Sequence, residues 1–419
     1  MPFNIGLSGL NAAQADLQTT GNNVSNSGTT GFKRSRAEFG DVFAQSFGGI
    51  SQTAIGSGTR LQAVTQQFSQ GRTEFTENGL DLAINGEGFF VLNDQGSTVY
   101  SRAGAFQVDR DGYLVNNQGL RLQGYDEAGG TNLGDLRLQT DTAAPQATEN
   151  LEALINLRSD APALSADPDD FDLEDPETYN FSTSLTMYDS LGIARDANLY
   201  FVKTGQNEWN AHVAVRQDDG ELVEVQYPDD PATPGTPASA LTLDFGPSGQ
   251  LNGVSPAAEG LFVPGTSLDG ADDLEFDISF DGTTQFGGDF SVNDLNQDGF
   301  ASGQLTGIDI DQTGVVFARF TNGQSTELGQ LALANFPNPQ GLEQLGDNNW
   351  AETFAAGDVR LDRPGSSNLG SVQAGALEAS NVDIAQELVN LITAQRNFQA
   401  NAQTISTADQ VTQTIINIR

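Results

Sequence analysis

Both ends of the chain carry the same apolar pattern, in which the apolar residues lie three or four positions apart. That spacing predicts an α-helix at each end with a narrow apolar seam, as in helices that wind around partners. Most of the sequence between the two ends is typical of strands and turns. The seam positions that we expect to pack between subunits are Leu7, Leu10, Leu17, Val24, Ile384, Leu388, Leu391, Phe398, Ile405 and Ile415, with Phe3 and Ala402 on the same spacing.

The N-terminal helix is expected over residues 1–26, although each of its glycines lowers the stability of an isolated helix by ~1 kcal/mol relative to alanine. The C-terminal helix is expected to begin near Ser380, because Ser380 and Asp383 have the spacing of a capping box. If it runs to the end of the chain, it is about 57 Å long at 1.5 Å per residue. The seams are interrupted at Gln14, Gly21 and Gln395, which argues against a strong pairing of these two helices with each other alone.

Composition excludes several classes of function. The 419 residues include 18 basic and 56 acidic side chains, for a net charge of −38, so nucleic acid is a poor partner. There is no cysteine, which excludes disulfides and thiolate metal sites. No apolar run approaches the ~20 residues that a membrane-spanning helix needs. The N-terminus lacks the charged n-region and apolar h-region of a cleaved signal peptide, so we expect none. We therefore expect no membrane insertion.

The negative charge is concentrated in the middle of the chain. Residues 159–318 hold three basic and 30 acidic residues, a net charge of −27, whereas residues 1–50 have a net charge of zero. Nearly neutral ends would allow copies to pack closely there, because like charges at short range repel. A protein from a salty environment with acidic solvated parts is an alternative explanation, and it is compatible with the first.

The pattern between the helices predicts β structure. Hairpin signals occur at Asn85-Gly86, Asp111-Gly112 and Asn322-Gly323. The expected fold class is multidomain α+β with discontinuous domains: the terminal helices pair as a coiled-coil-like inner domain, and two mainly antiparallel β domains are nested between them. The expected boundaries are 1–31 and 375–419 for the helical domain, 32–74 and 361–374 for an extended connector, 75–149 and 291–360 for a split β domain, and 150–290 for an inserted acidic β domain.

Candidate chemical sites are weak. His212, the only histidine, alternates with apolar neighbours and is expected on the wet face of a strand, without a catalytic partner. Asp294, Asn296 and Asp298 match the first half of a calcium loop, but Leu305 occupies the position of its bidentate glutamate. A turn is the favoured interpretation of these three residues, and any calcium would bind weakly. The acidic runs at 167–175 and 269–277 carry no catalytic spacing, so we expect neither an enzyme nor a cofactor.

Several motifs resemble those of the bacterial flagellar rod and hook proteins. At the N-terminus they are Ser8 to Ala13, Gly21 to Asn26, including Asn22, Asn23 and Asn26, and Thr29 to Lys33, including Gly31 and Phe32. Further matches are Ile84 to Phe90, Arg102 to Phe106, Leu328 to Phe336 and Ala394 to Asn401. They cover both ends and the flanking β segments, more than half of the chain, in the order of the family. Residues 150–290 carry no recognisable motif.

Within this family, the length of the chain and its large insert resemble the hook members. The resemblance implies a structural subunit that polymerises into a curved, flexible tube and transmits torque from rod to filament. It implies an extracellular location on the flagellar basal body, reached through the type III export apparatus without a cleaved signal peptide. It also implies contacts with copies of itself, the distal rod, the hook cap and the hook-filament junction proteins. The alternatives are a distal-rod or hook-associated axial protein and, in another class, an acidic calcium-dependent adhesive protein.

Overall fold

The computed structural model describes residues 2–42, 56–126, 130–138, 142–164, 170–217, 220–227, 238, 240–265, 268, 270–366 and 368–417, without the side chains of residues 2, 415 and 417. Over these residues the chain forms two long α-helices, α1 (Pro2–Ser25) and α2 (Ile384–Asn417), and 30 β-strands. It divides into two compact units. Unit 1 comprises Met1–Thr140, Thr306–Arg319 and Ser325–Arg419, and unit 2 comprises Asp141–Leu305 and Phe320–Gln324. The prediction of a mostly β chain with a helix at each end is confirmed.

The first strands of unit 1 follow α1 and precede unit 2. They are β1 (Ser35–Asp41), β2 (Thr59–Gln66), β3 (Thr73–Phe75), β4 (Leu82–Asn85), β5 (Phe89–Asp94), β6 (Ser97–Ser101), β7 (Phe106–Val108), β8 (Leu114–Asn116), β9 (Arg121–Tyr125) and β10 (Leu133–Asp135).

Unit 2 contains eleven strands among its described residues. They are β11 (Asn150–Arg158), β12 (Phe181–Tyr188), β13 (Ala194–Gly205), β14 (Glu208–Arg216), β15 (Leu222–Glu224), β16 (Leu241–Phe245), β17 (Leu251–Ser255), β18 (Leu261–Val263), β19 (Leu274–Ser279), β20 (Thr284–Phe286) and β21 (Ser291–Gln297).

The remaining strands lie between unit 2 and α2, together with two single-turn 3-10 helices at Pro339–Gly341 and Phe354–Ala356. These strands are β22 (Leu305–Ile310), β23 (Val315–Phe320), β24 (Ser325–Leu331), β25 (Leu333–Asn335), β26 (Glu343–Gly346), β27 (Asn349–Ala351), β28 (Arg360–Asp362), β29 (Ser371–Ala374) and β30 (Ala376–Glu378).

In unit 1, strands from before and after unit 2 pair with each other. The main sheet has the order β22-β23-β24-β9-β5-β6-β27-β26, and β4 pairs with β29 and β3 with β30. Alternating apolar residues on these strands form two hydrophobic clusters, one around Phe90 and Leu122 and the other around Phe89 and Trp350. The strand that leads into α2 is therefore held in the same unit as the strands that follow α1.

The described residues of unit 2 form two sheets. One has the order β18-β19-β11-β20 with β21 on β11, and the other has the order β12-β13-β14-β16-β17 with β15 on β14. Side chains of both sheets, such as Ile155 and Trp209, form one hydrophobic core. Pairing is mainly antiparallel, but β11 pairs in parallel with β19 and β20.

Two of the three predicted hairpins are confirmed. Asp111-Gly112 connects the paired strands β7 and β8, and Asn322-Gly323 connects β23 and β24. The hairpin at Asn85-Gly86 is wrong. β4 pairs with β29 instead of β5, and a Cβ on Gly86 would lie 2.8 Å from the Gly370 Cα atom. The φ of +123° at Gly86 serves this close approach of two backbones.

The predicted start of the C-terminal helix is also corrected. α2 begins at Ile384, and the carboxylate of Asp383 accepts hydrogen bonds from the backbone nitrogens of Ala385 (2.9 Å) and Gln386 (3.2 Å). Asp383 is therefore the N-cap. The Ser380 hydroxyl accepts from the Val382 nitrogen before the helix starts. None of the described helices is long and apolar enough to cross a bilayer.

His212 does not lie on a wet face. Its side chain is 1% exposed, its ring stacks on Phe171 with centroids 3.9 Å apart, and Nδ1 lies 2.7 Å from the Glu224 carboxylate. β14 is covered on both faces, so alternation along this strand does not distinguish a core side from a solvent side.

The segment of the calcium-loop match is a strand followed by two residues without regular structure. Asp294 and Asn296 belong to β21, which pairs antiparallel with β11. The Asp298 carboxylate accepts hydrogen bonds from the backbone nitrogens of Glu149 (2.9 Å) and Asn150 (3.0 Å) and from the Asn150 side chain (2.8 Å). Residues 294–297 therefore form neither a calcium-binding loop nor the turn that we favoured, because pairing with β11 holds them in an extended conformation.

Candidate assembly surface of the terminal helices

The two terminal helices contact each other within unit 1. A Cβ on Gly6 would lie 2.8 Å from Cγ1 of Ile405, and a Cβ on Gly9 would lie 2.4 Å from the Asn401 side chain. At the other end of α1, Asn23 Nδ2 donates to Glu387 Oε2 at 3.3 Å. The start of α1 therefore lies beside the later part of α2, and the helices are antiparallel.

Small and polar residues form much of this contact. On α1, Gly6, Ala13, Thr20 and Asn23 are buried at intervals of three or seven, and on α2 the buried residues are Glu387 and Ala394. Glycines permit this close approach of two backbones because they have no Cβ. From the sequence, the α1 glycines are expected only to weaken an isolated helix; in the structure, Gly6 and Gly9 lie against α2.

The predicted apolar seam divides between two environments. Leu10, Leu17, Val24, Leu391, Phe398 and Ile405 are half-buried, whereas Leu7 and Leu388 remain 52% and 45% exposed and Ile384 51% exposed. Other exposed apolar residues of the pair are Phe3, Ile5, Val389, Ile392, Val411 and Ile416. The side chain of Ile415 lies outside the described residues. The helix pair thus presents apolar side chains that the single chain leaves uncovered.

The family-motif residues after α1 shape the turn that leads into β1. Asn23 is 2% exposed, and its amide exchanges two hydrogen bonds with the backbone of Ser35, at 2.8 and 2.9 Å. The Asn26 amide donates to the Asn22 carbonyl at 3.0 Å, and Phe32 is 6% exposed. Gly31 has a φ of +70°, and its nitrogen donates to the Glu378 carbonyl at 2.7 Å. These residues bring the end of α1 against the segment that precedes α2.

A buried cluster of charges joins the same segments to the β part of unit 1. Glu378 accepts from Lys33 Nζ at 2.6 Å and from Arg102 Nη1 at 3.1 Å, and the three side chains are at most 4% exposed. The Gly71 nitrogen also donates to the Glu378 carboxylate, at 2.7 Å. We call Lys33, Arg102 and Glu378 the ionic cluster.

Burial lowers the pKa of the Lys33 ammonium, and the adjacent Glu378 opposes that shift. The ionic cluster was missed at the level of sequence, although two of its members lie in quoted motifs: Lys33 ends the first motif group and Arg102 begins another. A basic residue inside an otherwise apolar and glycine-rich motif was the available signal. It could not identify Glu378, which lies 345 residues after Lys33.

A second polar cluster lies between α1, α2 and β1. Asp16, Asn23, Arg34, Glu387 and other residues line a cavity of about 210 Å³. Glu387 lies 3.5 Å from Arg34. Burial, and then the negative charge of Glu387, raise the pKa of the Asp16 carboxyl.

Models of protein families match four consecutive parts of the chain. The descriptions are "Flagella basal body rod protein" for residues 3–33, "Flagellar hook protein FlgE/F/G D1 domain" for 83–159, "Flagellar basal body protein FlaE D2 domain" for 156–300, and "Flagellar basal body rod FlgEFG protein C-terminal" for 373–418.

Similar proteins span the whole chain. The flagellar hook protein FlgE of Salmonella typhimurium is 40% identical over 100% of both chains, and that of Escherichia coli is 39% identical over the same share. The hook protein of Borreliella burgdorferi is 31% identical over 99% of this chain and 98% of its own. A crystal structure of a Helicobacter pylori flagellar hook protein has the same fold, with a TM-score of 0.54 at 14% identity, covering 73% of this chain and 100% of that one.

Similarity of this extent to hook proteins favours the hook assignment over the distal-rod, hook-associated and adhesive alternatives. The matched family is structural and not enzymatic. With full-length relatives above 30% identity and family models matching from the first helix to the last, the chain belongs to the flagellar hook protein FlgE family.

Proposed function

We propose that this chain is the subunit of a flagellar hook, polymerising into a curved, flexible tube that transmits torque from rod to filament. The observation that carries the proposal is the set of exposed apolar side chains on the helix pair, including Leu7, Ile384 and Leu388. Covering apolar surface of this kind with a neighbouring copy removes it from water and so lowers the free energy of the assembly. In this proposal the helix pair forms a coiled-coil-like inner domain completed by other copies.

Charge supports the same arrangement. α1 contains one charged side chain, Asp16, and α2 contains three, Glu387, Arg396 and Asp409. Residues 159–318 carry a net charge of −27. Close packing of many copies is least costly at nearly neutral surfaces, so the helices would form the inside of the tube and the acidic region its outside.

The domain division follows from this layering. Residues 1–31 and 375–419 would form the inner tube, 32–74 and 361–374 a connector, 75–149 and 291–360 the middle layer, and 150–290 the nested outer domain. The proposed location is outside the cell on the flagellum, after type III export without a cleaved signal peptide. The proposed partners are the distal rod, the hook cap during assembly and the hook-filament junction proteins.

Electron microscopy of cells that lack the gene tests this function. We expect basal bodies that retain a rod and carry no hook, and cells that do not swim. Reintroducing the unchanged chain should restore hooks, which serves as the control for effects on neighbouring genes. Intact hooks on the deletion cells would overturn the proposal.

A further inference from the structure

Phe354 is the most exposed phenylalanine among the described residues. Its side chain lies fully in water, whereas that of Phe75, the next in order, is 76% exposed. Aromatic side chains bury a large apolar area when a partner covers them, and they supply much of the binding energy of many protein interfaces. A phenylalanine ring that its own chain leaves wholly uncovered can therefore serve as the anchor of a contact with another molecule.

The turn that carries Phe354 is firmly attached to unit 1. Phe354 begins a single 3-10 turn, and the Thr353 hydroxyl caps it by accepting a hydrogen bond from the Ala355 nitrogen at 3.2 Å. The Asn338 amide donates to the Ala355 carbonyl at 2.9 Å. Ala356 is 0% exposed and belongs to a hydrophobic cluster of unit 1. A side chain on a fixed backbone loses less conformational entropy when it binds.

The same turn is flanked by unpaired acidic side chains. Glu352 and Asp358 precede and follow it, both are exposed, and neither forms an ion pair within the described ranges. Although acidic residues outnumber basic ones by 56 to 18, some arginines of unit 1 are exposed and have no acidic partner in the part of the chain that the structure describes. These arginines are Arg60, Arg72 and Arg110. A second copy of the chain can thus offer the charge that these acids lack.

We propose that Phe354 anchors a contact between copies, its ring buried on unit 1 of a neighbouring copy and its acidic flanks facing an exposed arginine there. The proposal rests on the proposed function, because it requires copies to assemble side by side. Within one chain the fixed turn leaves the ring in water, so another molecule has to cover it. The turn and the arginines are different surfaces, and such a heterologous contact builds rings or helical polymers.

Phe354→Ser tests the anchor by removing the aromatic ring. In cells without the native gene, this variant should form few or no hooks, and any hook that forms should dissociate at a lower temperature than an unchanged one. The isolated variant should unfold at the same urea concentration as the unchanged chain, because the ring is not covered by its own chain. Fluorescence of Trp350, four residues earlier, reports this unfolding once Trp209 is replaced by phenylalanine.

Two matched variants accompany Phe354→Ser. Phe354→Leu keeps a large apolar side chain and should form hooks that resist heat nearly as well as unchanged ones. Ala355→Ser changes the exposed neighbour in the same turn without touching the ring, and it should leave assembly intact.

Photo-crosslinking identifies the molecule that covers the ring. The probe is benzoyl-phenylalanine at position 354, which keeps an aromatic side chain there. Irradiation of isolated hooks should give products of two joined chains, and peptide mapping should place the second end of the link in unit 1. The same chain irradiated as a dilute monomer should give no such product.

Several results would overturn the anchor. One is a normal number of hooks from Phe354→Ser with unchanged resistance to heat. Another is irradiated hooks that give single chains alone, or links to a different protein. A lowered urea midpoint of Phe354→Ser, or equal loss of hooks from Ala355→Ser, would assign the effect to the turn and not to the contact. The unchanged chain must form hooks in the same cells, which separates these results from failure of the proposed function.

Discussion

At the residue scale, the ionic cluster is a buried group whose members depend on one another. Two cations share one carboxylate, all three side chains being almost fully buried. Removing charges from water is costly, and the cost is offset only while every partner is present. Lys33 follows the end of α1, and Glu378 precedes the start of α2. These contacts therefore hold the end of α1 and the start of α2 near Arg102 in the β part of unit 1.

Glu378→Gln should therefore lower the free energy of unfolding of unit 1 by about 3–5 kcal/mol, because it leaves two buried cations without a counter-charge. The measurement is urea unfolding followed by tryptophan fluorescence. The chain has two tryptophans, Trp209 in unit 2 and Trp350 in unit 1. A Trp209→Phe background makes Trp350 the reporter of unit 1.

The matched control for Glu378→Gln is Glu38→Gln, which removes the carboxylate of an exposed pair with Arg36. Exposed pairs contribute little because water and salt screen them, so the urea midpoint should hardly move. Similar effects of the two substitutions would contradict the special place of the ionic cluster.

At the element scale, the sequence predicted which segments are helical and which are strands better than it predicted their partners. The spacing of Leu7, Leu10 and Leu17 depends only on the helix period, and α1 follows it. The partner of β4 is β29, almost 300 residues later, and local turn chemistry at Asn85-Gly86 holds no information about that pairing. The face of His212 was missed because both faces of β14 are covered.

The inner face of the helix pair could not be predicted from hydrophobicity for a similar reason. Gly6, Gly9 and Ala13 contribute little apolar surface, yet they lie where α1 meets α2. Helix packing depends on how closely the two backbones can approach as well as on apolar area. The spacing of apolar residues indicates only the area. The larger apolar residues thus remain available for neighbouring copies.

Leu388→Asp tests that division of the helix surface. Leu388 is 45% exposed, so an aspartate there should leave the isolated chain folded by circular dichroism. Hooks should be absent, because an unpaired charge would be buried between subunits. The contrasting variant is Leu391→Asp at a half-buried position, which should also destabilise the isolated chain. Normal hooks from Leu388→Asp would refute the assignment of this face.

At the scale of the whole molecule, the longer segment of unit 2 has its two ends close together. The Ala143 nitrogen donates to the Gly303 carbonyl at 2.8 Å. The two segments through which the chain enters and leaves most of unit 2 are therefore neighbours. Unit 2 also has its own core. An inserted domain whose two ends lie close together and which has its own core can be removed or replaced without unfolding the domain that carries it.

Replacing residues 144–302 with a short glycine-serine linker should therefore leave a chain that still forms tubes. If the acidic region lies outside and controls how copies slide on bending, the tubes should differ in curvature or stiffness from unchanged hooks. Electron microscopy of isolated hooks measures both properties. Complete loss of assembly by a shortened chain that retains its folded unit 1 would contradict the layered arrangement.

The ionic cluster has a further consequence for the behaviour of the chain on heating. Water solvates charged groups less favourably as temperature rises, so the cost of keeping Lys33, Arg102 and Glu378 buried declines in warm surroundings. The approach of Gly6 to Ile405 is mainly apolar and does not gain in this way. We therefore expect warming to loosen the helix pair first at the end near Gly6 and Ile405. The end of α1 and the start of α2, next to the ionic cluster, should stay in place longest.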